Sequence, residues 1–381
     1  MGIGLSFVFI SLPPIGRKIG ISETDVGIII TMGALIFVIF SFLWGPWINR
    51  LGLRRTIKVG MLIYAITTTL LGLVLQLGLN SQLSEQSTFY LAIVLRMMFC
   101  AGVSGVAPAC QAYLIATSTA QTRTVAISNM SVAVSAGMIL GPVLAALSIT
   151  WGLVTPFFII AVLCLLSVLF LGNVMPTMKS KQSKGNQHKM VWHKHPVLPL
   201  FLLSGLAVFC VTGLQQTIVF YVQDMLKLET TRATQLSGIA MATMTTTIIL
   251  FQLFVIRRVS WSPSKMIYIG SALWIVAMLD LLLNYSYFGV IFGLILFGMG
   301  TSFLFPAIVS KQSLVSKSVE QGSVAGANTS AQGIGMTLSP VLYASLYQIN
   351  YFLPFLMIGF VAFLIVAIHR YIKDGINLNI N

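Results

Sequence analysis

Apolar residues in this chain do not alternate with polar ones. They come in mostly apolar runs of about twenty, the length at which a helix crosses a bilayer. Such runs fall near residues 1–16, 24–48, 56–78, 88–112, 127–149 and 153–175, and again near 197–222, 233–256, 264–285, 287–310, 322–346 and 351–372. Six plus six helical spans are predicted. Between the sets lies the one long polar segment, Met178–His195, with Lys179, Lys181, Lys184, Lys189 and Lys194 beside His188, His193 and His195. A solvated basic linker accounts for it better than a metal site does. The pattern predicts an all-α polytopic membrane protein with a six-helix bundle over 1–177, a cytoplasmic linker over 178–196 and a second six-helix bundle over 197–381.

Composition agrees. Hydrophobic residues make up 57% of the 381 and charged ones 8%, with a mean hydropathy of +0.94, whereas a soluble domain keeps about a quarter of its residues charged. The net charge of +14 does not mark a nucleic-acid face, because the cations fall in the short segments between apolar runs. Placing alternate loops on opposite sides gives one side Arg50, Arg54, Arg55, Lys58, Arg123, the five linker lysines, Arg257, Arg258, Lys265, Lys311, Lys317, Arg370 and Lys373. The other side receives Arg17, Lys18, Lys227 and Arg232, with Glu23, Asp25, Glu85, Asp224 and Glu229. This imbalance puts both termini and the linker in the cytoplasm. Cys100, Cys110, Cys164 and Cys210 lie in apolar runs with no disulfide or zinc spacing. Met1–Ile15 has no charged leader and reads as a span rather than a signal peptide. It has only about fifteen residues before Arg17, short for a crossing, so a first helix beginning upstream is expected.

The two halves echo each other. Gly137-Met138-Ile139-Leu140-Gly141-Pro142-Val143-Leu144 in the fifth span matches Gly335-Met336-Thr337-Leu338-Ser339-Pro340-Val341-Leu342 in the eleventh, and Arg54-Arg55 after the second span matches Arg257-Arg258 after the eighth. Like-oriented halves describe a parallel repeat with a substrate site near the midplane.

The segment Gly45-Pro46-Trp47-Ile48-Asn49-Arg50-Leu51-Gly52-Leu53-Arg54-Arg55 resembles the G-x-x-x-D-R-x-G-R-R loop of the major facilitator superfamily, with Asn49 in place of the acid. The resemblance implies a conformational latch of Gly45, Asn49, Arg50, Gly52, Arg54 and Arg55, and the lost charge weakens a purely electrostatic latch. Gly137, Gly141 and Pro142 resemble the fifth-helix motif of the antiporter branch, with Ala145 and Ala146 where two further glycines usually stand. Pro108–Tyr113, Glu320–Gly326 and Arg257–Pro263 look like the twelve-helix drug:proton antiporter branch. The implied fold is two six-helix bundles about a pseudo-two-fold axis along the membrane normal. The implied activity is multidrug-type efflux in a bacterial cytoplasmic (inner) membrane, with protons as coupling ion, membrane lipid around a monomer and no cofactor or metal.

Two charges lie well inside spans, away from their ends. Arg96, roughly 10 Å into the fourth span, costs about 2.5–3.5 kcal/mol on insertion scales. It is either a cavity cation, as the resemblance implies, or a snorkelling side chain. Asp280, about 21 Å along the ninth span, is a candidate proton site, although ninth helices of the family are peripheral. A cavity with Arg96 and no acid favours neutral or anionic amphipathic cargo over cations. Gln111, Tyr113, Gln215, Gln216, Tyr221, Asn328 and Gln332 are candidate hydrogen-bonding lining residues, each also able to serve as an interhelical bond. An importer or facilitator of a small metabolite on the same fold stays open as the alternative. A receptor would need long ordered extensions, and an enzyme would need acids or histidines clustered at one depth.

Overall fold

The computed structural model describes residues 2–118, 123–174, 198–256, 258, 261–315 and 321–378; the linker lysines and histidines, Arg257 and Glu320 lie outside them. Every predicted run contains helix. In the first set these are α1 (Gly2–Ser6) with α2 (Val8–Ile19), α3 (Glu23–Leu51), α4 (Leu53–Leu79), α5 (Glu85–Val103) with α6 (Val106–Thr117), α7 (Arg123–Ser148) and α8 (Thr155–Val174). In the second set they are α9 (Leu198–Leu226), α10 (Thr230–Leu250), α11 (Pro263–Leu283), α12 (Tyr287–Val315), α13 (Gln321–Ile349) and α14 (Leu353–Leu378). Among the described residues there is no strand, and eight helices are long and apolar enough to cross a membrane by length and composition.

Local chemistry fixes several ends. The Ser22 hydroxyl accepts the Asp25 N–H at 3.1 Å, and Ser84 does the same for Ser87 at 3.2 Å, satisfying donors that a helix start leaves free. Glu23, Asp25 and Glu85 in these first turns suit the positive end of the helix dipole. Between α3 and α4 stands a single residue, Gly52, at φ 82° and ψ 153°, a region almost confined to glycine. The α5–α6 break follows from Pro108, which cannot donate to Ser104. There the Trp44 indole donates to the Ala101 carbonyl at 2.7 Å, and the absence of a side chain at Gly105 gives its ring room.

The chain separates into two compact units. One comprises Met1–Gly185 with Glu229–Gly238, the other Asn186–Leu228 with Ile239–Asn381. In lipid, apolar side chains gain little by meeting each other instead of acyl chains, so small residues that let backbones approach carry the packing. In the first unit α1 lies on α7, where a Cβ on Gly137 would sit 3.0 Å from the Ile3 nitrogen and one on Gly141 2.7 Å from the Ile3 carbonyl oxygen. In the second unit α9 lies on α13, and a Cβ on Gly335 would strike the Gly205 carbonyl. The middle helices repeat the scheme. A Cβ on Gly60 of α4 would lie 2.8 Å from the Gly102 carbonyl oxygen, and one on Gly270 of α11 2.8 Å from that of Gly300.

These contacts expose a longer repeat than the eight-residue echo. Phe99 and Phe297, Gly102 and Gly300, Pro108 and Pro306, Gly137 and Gly335, Pro142 and Pro340, and Phe157 and Phe355 are all 198 residues apart, so α5–α8 and α12–α14 follow one another without a gap. The aromatic pair between the third and fourth spans is repeated too. Tyr64 meets Phe99 with ring centroids 4.6 Å apart, and Trp274 meets Phe297 at 4.6 Å.

Forcing a large side chain into such a seam costs about 1–3 kcal/mol or more. Gly335→Leu is expected to lower the detergent melting temperature and the folded yield sharply. Gly359→Leu, whose Cβ would meet nothing within 4 Å, is expected to leave both unchanged. Equal stability of the two variants contradicts the seam.

Candidate functional site

Arg96 stands eleven residues into α5, about 16 Å from its start at 1.5 Å per residue. That is deeper than the sequence suggests, because the helix begins at Glu85 rather than near residue 88. Only 5% of the residue is exposed, so its side chain is enclosed by protein and does not lie along the lipid-facing surface. The guanidinium carbon sits 4.5 Å from the centroid of the Phe99 ring. Gly33 of α3 makes room for it, since a Cβ there would lie 2.8 Å from Arg96 Cγ and 3.1 Å from Cys100 Sγ. Nε is buried with no hydrogen-bond partner, and among the described residues the guanidinium makes no hydrogen bond or ion pair. A cation taken from water and given only an aromatic face retains a strong demand for an anion.

Gln111 is exposed on α6, and Tyr113 beside it is half-buried. In the second unit Gln215 and Gln332 are half-buried, whereas Gln216 is fully buried with both amide atoms unpartnered. Tyr221 is fully buried and its hydroxyl donates to the Leu281 carbonyl, tying α9 to α11. Asn328 accepts from Gln312 Nε2 at 2.8 Å, the same nitrogen donating to Leu200 O at 3.2 Å and Ser204 Oγ at 3.1 Å. Among the described residues no hydrogen bond joins two of the expected lining side chains.

Asp280 lies three residues before the end of α11. Its Oδ2 is buried without a hydrogen-bond partner and faces Gly293 of α12, where a Cβ would come within 3.1 Å. Gly45 and Asn49 are described by their backbone alone. Arg50 and Arg55 are exposed and Arg54 is half-buried around the Gly52 turn. Gly137 and Gly141 carry the α1–α7 seam, and Pro142 is buried inside α7. Where the motif's later glycines are replaced, the small residue stands on the neighbour. Gly238, which clusters with this unit, would place a Cβ 2.5 Å from that of Ala146.

Sequence reasoning missed three features. Gln312 is 2% exposed and staples α9, α12 and α13. His369 is fully buried in α14 with Lys311 Nζ 3.4 Å from its Nε2 and the Tyr268 ring edge-on at 5.2 Å. The Phe99 platform for Arg96 was legible as an i, i+3 pair on one helix face. Among the described residues no group of three or more His, Cys, Asp or Glu could hold a metal ion.

The chain is similar to two curated proteins of Bacillus subtilis (strain 168). Multidrug resistance protein 1 is 22% identical over 93% of this chain and 88% of its own length, and Multidrug resistance protein 2 is 24% identical over 94% and 89%. Among solved structures, a mutant of the nucleoside transporter NupG superposes with a TM-score of 0.78 at 13% identity, covering 97% of each chain. A D-xylose-proton symporter gives 0.76 at 12% identity, covering 97% of this chain and 95% of its own. At these identities the structures speak for the fold alone. A family model described as Major Facilitator Superfamily matches residues 1–340. Span-length helices in two repeated units, together with that match, make the chain a membrane-integral transporter belonging to the Major Facilitator Superfamily.

Proposed function

We propose that this transporter exports small amphipathic molecules of neutral or anionic charge, exchanging them for protons by alternating access. The observation that carries the charge preference is the buried Arg96 guanidinium with no acid paired to it among the described residues. An exporter of cations would bring its cargo against that charge in a low-dielectric setting, where repulsion is poorly screened. The multidrug resistance names of the two Bacillus relatives and the glycine seam of α7 support efflux. The balance of basic loops supports a bacterial cytoplasmic membrane with both termini and the linker inside. Surrounding lipid and a monomeric state complete the reading. Asn49 and the arginines around Gly52 form the latch, with hydrogen bonding in place of the usual carboxylate charge. Gln111, Tyr113, Gln215, Gln216 and Gln332 contribute polar contacts to cargo. Tyr221 and Asn328 act chiefly as interhelical staples.

Asp280 is a subsidiary proton site at most. It faces the glycine of an adjacent helix in its own unit, and Asp280→Asn is expected to reduce transport less than about threefold, under about 1 kcal/mol. Complete loss in that variant promotes it to the coupling residue. Arg96→Ala is expected to abolish transport while membrane abundance stays near wild type; equal transport per molecule makes the residue a packing or anchoring cation instead. In vesicles, collapsing the pH gradient is expected to stop uphill export, and export unchanged by the collapse rules out proton antiport.

A further inference from the structure

The repeat offers an internal comparison for the Arg96 site. Arg96 and Phe99 of α5 correspond, 198 residues on, to Leu294 and Phe297 of α12. The aromatic partners on the preceding helix also correspond, Tyr64 on α4 and Trp274 on α11. The two pairs share a centroid separation of 4.6 Å but differ in angle. Trp274 lies nearly parallel to Phe297, at 13°, and covers its face. Tyr64 meets Phe99 edge-on, at 88°.

An aromatic ring has two electron-rich faces and a positive edge. When Trp274 stacks flat on Phe297, one face is occupied. Tyr64 stands perpendicular to Phe99, and the Arg96 guanidinium carbon lies 4.5 Å from the Phe99 centroid. The ring of Tyr64 is fixed at its far end as well, because its hydroxyl occupies the space that a side chain at Gly4 would fill. Trp274 is fixed differently, by Nε1 donating to the Phe297 carbonyl and to Thr301 Oγ1, both at 3.1 Å. One fold position has thus become a purely structural stack in the second unit and a platform for a cation in the first.

We infer that Phe99 is a positioning residue that sets the charge selectivity of the Arg96 site, and that the preferred cargo bears a carboxylate. This rests on the proposed role of Arg96. The ring holds the guanidinium in one orientation, and the unpartnered Nε together with the adjacent terminal nitrogen forms the two-donor edge that matches a carboxylate. Without the ring the side chain keeps its charge but loses its fixed direction, and less of the ordering cost is met before cargo arrives.

The test measures initial uptake into inside-out vesicles of an amphiphilic carboxylate and its neutral primary-amide counterpart. Phe99→Leu is expected to raise KM for the carboxylate about five- to tenfold with the amide unchanged, whereas Phe99→Tyr, which keeps the π face, retains the wild-type ratio. Arg96→Lys, which keeps the charge but has no two-donor edge, is expected to give the same selective loss and serves if Phe99→Leu does not fold. Parallel losses for both cargoes, or none for either, overturn the inference. If Arg96→Ala destroys carboxylate transport while Phe99→Leu keeps the wild-type ratio, this inference alone fails. If Arg96→Ala transports the carboxylate like wild type, the functional reading fails with it.

Discussion

An arginine about 16 Å into a membrane helix persists only where something offsets the water it has lost. Snorkelling along lipid is closed to Arg96, which is only 5% exposed, and no acid among the described residues neutralises it. What it has is one aromatic face and the space left by Gly33. Such a face is worth about 0.5–2 kcal/mol, less than the roughly 2.5–3.5 kcal/mol that insertion scales assign to a central arginine. The remainder is a standing demand for an anion.

The helical scaffold around Arg96 depends on backbone approach. Apolar side chains cannot drive helices together in a solvent as apolar as themselves, so the seams fall where side chains are missing, at Gly2, Gly137 and Gly141, at Gly60 and Gly102, and at Gly205, Gly335, Gly270 and Gly300 in the second unit. Once the third and fourth helices of each unit are this close, the aromatic pair beside them has little freedom. Exchanging Tyr64 for Trp274 and Arg96 for Leu294 changes what the same geometry can do without disturbing it. The polar residues that break the repeat carry the differences between the units: Arg96 stands against Leu294, and Gln312 and Asn328 stand against Leu114 and Met130.

The helices were legible in the sequence because lipid imposes a single length scale on apolar runs, and helix lies in every expected run. The α7 motif was legible because glycines four apart share a face, and that face is the one occupied by α1. What stayed hidden required knowledge of a neighbour. Tyr221 and Asn328 look like lining residues by composition, yet Leu281 and Gln312 engage them within their own unit. The last helix extends through Leu378, past the expected boundary near residue 372, so His369 lies well inside it. The break between α5 and α6 was implicit in Pro108, but its stabilisation by Trp44 joins residues far apart in sequence. The ungapped repeat was present all along, diluted by apolar substitutions until paired contacts picked out the positions that matter.

The account stands most directly on whether the buried guanidinium binds an anion. Calorimetric titration of the purified protein in lipid nanodiscs with an amphiphilic carboxylate and its amide counterpart reads this without transport. The account predicts that the carboxylate binds at least about tenfold tighter, a difference of 1.4 kcal/mol, and that the preference persists at high salt because the site is enclosed. Equal affinity for the two ligands, or tighter binding of an amphiphilic cation, contradicts it.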